Sequence, residues 1–258
     1  MTDYKTMADL TGKTALVTGG AEGIGHGIAG GLASAGAHVL IASRNGEKCR
    51  KASEEFKSQG LNVDWYTVDT TDEASMDRLF AHVKELFGRL DIMVNNSGIS
   101  FFSSMIDMPI KEFDKLVSVN IRGTFLGCQY AARMMKEQGG GKILNLSSPT
   151  VIKCYRNGSA PYSVTKAAIS QMTRMFAGEL AEDHIHVNAI GPGVIITNLN
   201  RARYDAHPEL LDMVTQAIPM HHVNTPEEMA ALSVFLCSSA SDYITGQIIY
   251  IDGGACLI

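Results

Sequence analysis

The run Lys13-Thr14-Ala15-Leu16-Val17-Thr18 reads as a short buried strand and passes without a linker into Gly19-Gly20-Ala21-Glu22-Gly23-Ile24-Gly25. The following segment, residues 24–35, is apolar and rich in small residues, the pattern of a helix packed on a sheet. Strand, glycine turn and helix in that order open a dinucleotide-binding unit. The glycines let the backbone approach a pyrophosphate, and the N–H groups of the first helical turn face its charge. A glycine cluster by itself reads as a tight turn; its position directly after the first strand points to a ligand.

Outward from this run the chain alternates strand and helix to its end, with no linker, repeat or low-complexity stretch. Strands are predicted at residues 15–18, 39–42, 63–68, 92–95, 142–146, 186–190 and 247–251, with helices between them, among them 72–87, 111–119 and 226–237. Such alternation predicts an α/β fold, a doubly wound and mostly parallel sheet with right-handed crossovers covering both faces. At 258 residues and 45% hydrophobic content, residues 1–258 are expected to form a single domain around one large core. The ligand crevice of such a sheet lies beyond the carboxyl ends of its strands.

A second pattern, Tyr162-Ser163-Val164-Thr165-Lys166, sets a phenol and an ammonium one helical turn apart, downstream of Leu144-Asn145-Leu146-Ser147-Ser148. A free tyrosine titrates near pH ~10, too high for a base at neutral pH, so Lys166 is expected to bring the phenol down. In an arbitrary protein the same spacing marks a solvated helix face; beside the glycine turn it reads as acid/base chemistry.

Together these motifs resemble the short-chain dehydrogenase/reductase family over nearly the whole chain. Thr18, Gly19, Gly23 and Gly25 fit its glycine pattern, and Asn95-Asn96-Ser97-Gly98 is similar to its NNAG turn, with serine in place of alanine. Asn120 matches the asparagine of its catalytic tetrad, which Ser148, Tyr162 and Lys166 complete. Asn188-Ala189-Ile190-Gly191-Pro192-Gly193 followed by Thr197 resembles the segment that holds the nicotinamide carboxamide. The resemblance implies a single-domain Rossmann fold with seven strands in the order 3-2-1-4-5-6-7, and hydride transfer between a nicotinamide coenzyme and a secondary alcohol or ketone. Tyr162 would be the acid/base. Lys166 would also hold the nicotinamide ribose, Ser148 would polarise the substrate oxygen, and Asn120 would help hold a water between Lys166 and solvent. Ser148 is preferred to Ser147 although its separation from Tyr162 is one residue longer than the family's usual one, a surplus the loop before Ala160 can absorb; Ser147 reads as structural.

Gly19, Gly23, Ile24, Gly25, Asn96, Gly98, Pro192, Gly193 and Thr197, with Tyr162 and Lys166, are the expected coenzyme contacts. Selectivity turns on Ser43-Arg44, where NAD-selective relatives carry an aspartate; a neutral residue followed by arginine suits a 2′-phosphate, so NADP is expected and NAD is the alternative. Glu22 opposes this by its charge. Asp69 resembles the residue that meets the adenine amino group. The substrate is to be gripped by the loop at residues 149–157 and the segment at 194–220, with Tyr155, Leu199, Tyr204, Leu210, Leu211, Met213, Asn198, Asn200, Arg201, Arg203 and His207 as candidates for a sterol, a sugar acid or a small ketone. The overall flavour is closest to gluconate-type carbonyl reductases. An NAD-dependent sugar-acid or hydroxysteroid dehydrogenase is the alternative within the class. A dinucleotide-binding, redox-sensing interaction protein without turnover is the alternative outside it.

Composition narrows the partners. A net charge of −5 argues against a general nucleic-acid or anionic-membrane binder. Five scattered cysteines without a Cys-x-x-Cys pair suggest neither a disulfide framework nor a zinc knuckle and fit a reducing cytoplasm. His184 with His186, and His221 with His222, lack a third ligand at metal spacing, so no metal is expected. Residues 1–13 carry Asp3, Lys5 and Asp9, and no apolar run is long enough to span a bilayer. His222 and Asn224 replace the arginine and glycine frequent in the family, a departure expected to affect loop packing or a subunit contact and not the chemical step. Small and apolar residues at 124–135 and 163–180, including Ala131, Ala132, Ala167, Ala168, Met172, Met175 and Phe176, predict pairing through those helices into a homotetramer.

Overall fold

The computed structural model describes residues 6–154, 158–197 and 200–257, apart from the Arg203 side chain. Its seven strands are β1 (Thr14–Thr18), β2 (His38–Ser43), β3 (Val63–Thr67), β4 (Ile92–Asn95), β5 (Gly141–Leu146), β6 (Ile185–Pro192) and β7 (Ile248–Ile251). They form one sheet in the order β3-β2-β1-β4-β5-β6-β7, and every neighbouring pair is parallel, where the sequence predicted only a mostly parallel sheet. The chain starts at the centre, winds outward to β3 and returns past β1 to β4. The switch between β1 and β4 opens a crevice at their carboxyl ends.

Strand alternation explains why both faces are covered. In β1 Ala15 and Val17 join one core cluster while Leu16 joins another; Val39 and Ile41 against Leu40 and Ala42 divide β2 in the same way. The first cluster is closed by α1 (Gly23–Ser34), α2 (Gly46–Ser58) and α9 (Glu228–Cys237), and the second by α3 (Glu73–Phe87), α5 (Gly123–Gln138) and α6 (Ala160–Leu180). Helix starts follow local chemistry: the Asn45 side chain accepts from the Lys48 N–H at 3.0 Å ahead of α2, and Asp72 accepts from Ser75 N–H at 3.0 Å ahead of α3.

Two departures from the sequence pattern matter for the site. The helix expected at 111–119 is α4 (Ile110–Leu116), which runs into a wider π-helical turn, Val117–Arg122, containing Asn120. After β6 the chain forms two short helices, α7 (Arg201–Ala206) and α8 (Pro208–Ala217), and no residue of α8 is buried. Among the described residues no helix is long and apolar enough to cross a membrane.

Candidate active site

A cleft of about 910 Å³ runs along the carboxyl ends of the strands. Its floor is the glycine turn. Gly19 and Gly23 adopt left-handed φ values of 65° and 57°, which favour glycine. A Cβ on Gly25 would stand 2.3 Å from the Gly19 oxygen and 2.4 Å from Asn96 Nδ2, so the backbone lies open where a side chain would fill the cradle. Glu22 precedes α1 without a side-chain cap, and the first helical turn carries no acidic residue. Its backbone donors are therefore available to an anion.

Thr18 and Asn96 hold the turn from behind. Asn96 Nδ2 donates to the Thr18 and Gly19 oxygens at 3.0 Å each, and Thr18 Oγ1 accepts from the N–H groups of Asn96 and Ser97 at 3.2 and 3.3 Å. Ile24, Gly98, Pro192, Gly193 and Thr197 line the same cleft. A Cβ on Gly23 would come within 3.1 Å of Thr197 Cγ2, which brings the segment after β6 against the glycine turn. Asn224, at one of the family departures, donates from its N–H to the Val194 oxygen at 3.0 Å and from Nδ2 to the Ile251 oxygen at 3.2 Å, so it ties the start of that segment to β7. This cradle fits a dinucleotide.

At the outer end Ser43, Arg44, Asp69, Glu22 and Lys48 converge on the cleft. Ser43 Oγ accepts from the Asn45 N–H at 3.3 Å and lies 3.0 Å from Cys49 Sγ. Burial would raise the Asp69 carboxyl, but hydrogen bonds from the Thr71 N–H at 2.9 Å and hydroxyl at 2.8 Å, with the Arg44 charge, hold it below its ordinary value. Among the described residues Arg44 makes no hydrogen bond or ion pair. Glu22 is not the unopposed negative charge the sequence led us to expect: its Oε2 lies 2.8 Å from Lys48 Nζ. The first turn of α2 thus supplies a cation that sequence reasoning missed. Cutting that pair should matter to a phosphate: Lys48→Ala is expected to weaken NADPH binding about threefold or more and Lys48→Ala with Glu22→Gln to recover most of the loss, measured by coenzyme fluorescence titration. Equal NADPH affinities in all three proteins would contradict it.

At the other end the structure brings Ser148, Tyr162 and Lys166 together. Ser148 Oγ accepts from the Thr150 N–H at 3.3 Å and from Thr150 Oγ1 at 3.1 Å. With both lone pairs engaged, its own hydrogen is left for a partner in the cleft that Ser148 shares with Tyr162. Thr150, which the sequence reading did not single out, is therefore a positioning residue. The buried Ser147 hydroxyl lies 2.6 Å from that of Ser170, a side-chain partner where a backbone one was expected.

Lys166 is buried, donates from Nζ to the Leu146 oxygen at 2.6 Å, and places that Nζ 5.5 Å from the centre of the Tyr162 ring. Burial pushes Lys166 down to about 8. Burial also raises the Tyr162 phenol above its ordinary value, against the opposing hydrogen bond from Ser148. The lowering by Lys166 expected from the spacing does not figure among the causes of this shift, whose direction burial of the phenol sets.

Asn120 is fully buried, with its amide committed: Oδ1 accepts from the Ile99 N–H at 2.9 Å, and Nδ2 donates to the Ile99 oxygen at 2.9 Å and to Thr165 Oγ1 at 3.0 Å. The side chain fixes the loop after β4 against α6, leaving little of it for the water assigned to it from the sequence. A Cβ on Gly98 would lie 3.4 Å from Asn120 Oδ1 and 3.9 Å from Lys166 Nζ, so the loop, the π-turn and the lysine meet at one point.

Of the substrate-binding candidates, Asn200, Tyr204, Leu210 and Met213 line the cleft; Leu211, Arg201 and His207 do not, and His207 is 3.1 Å from Glu209. Tyr155, Asn198, Leu199 and the Arg203 side chain lie outside the described residues.

Comparison with known proteins agrees with this arrangement. The profile of the family described as enoyl-(acyl carrier protein) reductase matches residues 19–256. The 3-oxoacyl-[acyl-carrier-protein] reductase of Aquifex aeolicus is 36% identical over 247 residues, covering 95% of this chain and 98% of that protein. The chain belongs to the short-chain dehydrogenase/reductase family. Another relative, the 3alpha-hydroxysteroid dehydrogenase of Mediterraneibacter gnavus, is 36% identical over 95% of this chain and 98% of its own. The gluconate 5-dehydrogenase of Burkholderia cenocepacia, solved in complex with NADP and tartrate, superposes with a TM-score of 0.93 at 32% identity and 98% coverage of both chains. As a member of this family the protein is a dehydrogenase/reductase acting on a CH–OH or carbonyl group.

Proposed function

We propose that the protein is an NADP(H)-dependent oxidoreductase that interconverts a secondary alcohol and its ketone, with Tyr162 as acid/base. The carrying observation is the direction of the hydrogen bonds at Ser148: Thr150 donates to it twice, which leaves the Ser148 hydrogen for a substrate oxygen in the cleft it shares with Tyr162. A nicotinamide coenzyme in this cleft supplies the hydride donor or acceptor. The glycine turn and Asn96 shape its pyrophosphate site, Pro192, Gly193 and Thr197 border its nicotinamide end, and Arg44 meets a 2′-phosphate while Lys48 offsets the Glu22 charge. Tyr162 gives its proton to the carbonyl oxygen during reduction and takes it back during oxidation, and Ser148 hydrogen-bonds the same oxygen as charge develops there. Lys166 stands beside the phenolate that proton donation leaves. The free thiols of all five cysteines agree with a reducing cytoplasm.

Titration of this site gives a direction for pH. Reduction needs a protonated phenol, which burial favours, and a charged Lys166, whose proton leaves near pH 8. Its kcat is expected to be level between about pH 6 and 7 and to fall as pH rises through about 8. A reduction rate that climbs through that range would contradict these roles. The test of the function itself is NADPH consumption, followed by nicotinamide absorbance, across a panel of ketones. The proposal expects turnover of at least one and a preference for NADPH over NADH; consumption of neither coenzyme with any ketone refutes it.

The whole chain works as one domain in this proposal, and four copies assemble. Phe125, Val164 and Met175 expose apolar surface on α5 and α6, whereas Ala131 and Ala132 turn inward into the chain's own core and leave the pairing surface to the others. Light scattering at micromolar concentration is expected to return the mass of a tetramer; a monomer's mass would contradict this.

A further inference from the structure

We infer that the substrate is a bulky, largely apolar ketone or the corresponding secondary alcohol. This rests on the catalytic reading of the same site.

The sheet order divides the cleft in two. Residues following β1, β2 and β3 line one half; residues following β4, β5 and β6 line the other. Charge is divided the same way: Glu22, Arg44, Lys48 and Asp69 all face the first half. In the second half Lys166 is the one charged side chain among the described lining residues, and it belongs to the catalytic group. Among the described lining residues a carboxylate brought there meets no cation other than Lys166.

What faces this half instead is apolar. Phe101 and Phe102 come from the loop after β4, and Leu210, Met213 and Val214 from α8. The three α8 residues recur at i, i+3 and i+4 and form one stripe, while Glu209, Asp212 and Gln216 are exposed elsewhere on the helix. An amphipathic helix ordinarily buries its stripe in the core, yet no residue of α8 is buried, and its stripe lines the catalytic cleft. Met213 is 66% exposed and Phe102 is 52% exposed. Apolar surface held open beside Tyr162 is stabilised when a ligand with matching surface removes it from water. Ser148 and Tyr162 stand at the reacting oxygen, and the further polar groups on the described wall are short hydroxyls and amides such as Ser100, Thr150, Ser159 and Asn200, with the Tyr204 phenol. This is the layout for an apolar body carrying one carbonyl.

The test compares kcat/KM with NADPH for a fused-ring ketone of the decalone or steroid type and for a keto sugar acid. The fused-ring ketone is expected to be favoured at least about a hundredfold, and Met213→Asp, at an exposed position that tolerates charge, to lower its kcat/KM about tenfold or more with NADPH affinity unchanged. A wild type that prefers the keto sugar acid, or a Met213→Asp protein as good on the fused-ring ketone as wild type, overturns the inference while leaving the catalytic reading intact. Failure to turn over any ketone with either coenzyme removes that reading itself.

Discussion

Tyr162→Phe is expected to lower kcat by about a hundredfold or more while leaving NADPH affinity nearly intact, because it removes one oxygen from the proton's route and little else. The ring stays beside Lys166, and Ser148 keeps its two hydrogen bonds from Thr150. What disappears is the phenol hydroxyl, and with it the acid for the developing alkoxide. The burial that raises the phenol makes the loss more costly in reduction, since an acid that holds its proton at neutral pH is replaced by a ring that has none. Turnover within a factor of about two of wild type would remove Tyr162 from the chemistry.

The second large effect concerns the choice of coenzyme. A charge-assisted contact between Arg44 and a 2′-phosphate is worth about 1.5 to 3 kcal/mol, or roughly 10- to 100-fold in favour of NADP(H). Arg44 is exposed, so salt and solvent reduce the figure. Glu22 subtracts less than its charge alone would, because Lys48 lies 2.8 Å from it. Ser43→Asp with Arg44→Ala installs a carboxylate at the end of β2 and removes the guanidinium. Ser43 is half-buried beside Asn45, at the start of α2, so the new acid faces the cleft at the place where a ribose hydroxyl would meet it. The ratio of kcat/KM for NADP(H) to that for NAD(H) is expected to invert. A wild type that already prefers NAD(H) would contradict the assignment of Arg44.

The fold could be read because nearly every strand is a compact apolar run with turn chemistry at its ends. In β1 and β2 successive residues pack into opposite core clusters, so the runs are apolar throughout and stand out from the helices between them. The glycine turn was legible for a related reason: backbone approach and left-handed φ demand one residue type, and Gly19, Gly23 and Gly25 show it. The π-turn around Asn120 was not, since a widened turn adds no residue type of its own and shifts the helical period too slightly to register over six residues. Nor was the Glu22 and Lys48 pair, which the parallel crossover from β1 to β2 brings together from 26 positions apart. The direction of the Tyr162 shift escaped because spacing reveals a neighbouring charge, while burial, which sets the direction, exists only in the folded chain. Thr150 escaped similarly: its value lies in the two hydrogen bonds it gives Ser148, and a threonine in a loop carries no sign of that.

The most direct test of the account is a single turnover of bound NADPH with a fused-ring ketone in wild type and Tyr162→Phe, with NADPH affinity measured on both proteins by fluorescence titration. The account predicts oxidation of the coenzyme in wild type, a rate about a hundredfold or more lower in the variant, and matching affinities. Tight NADPH binding by both proteins with no oxidation by either, or equal rates in the two, would contradict it.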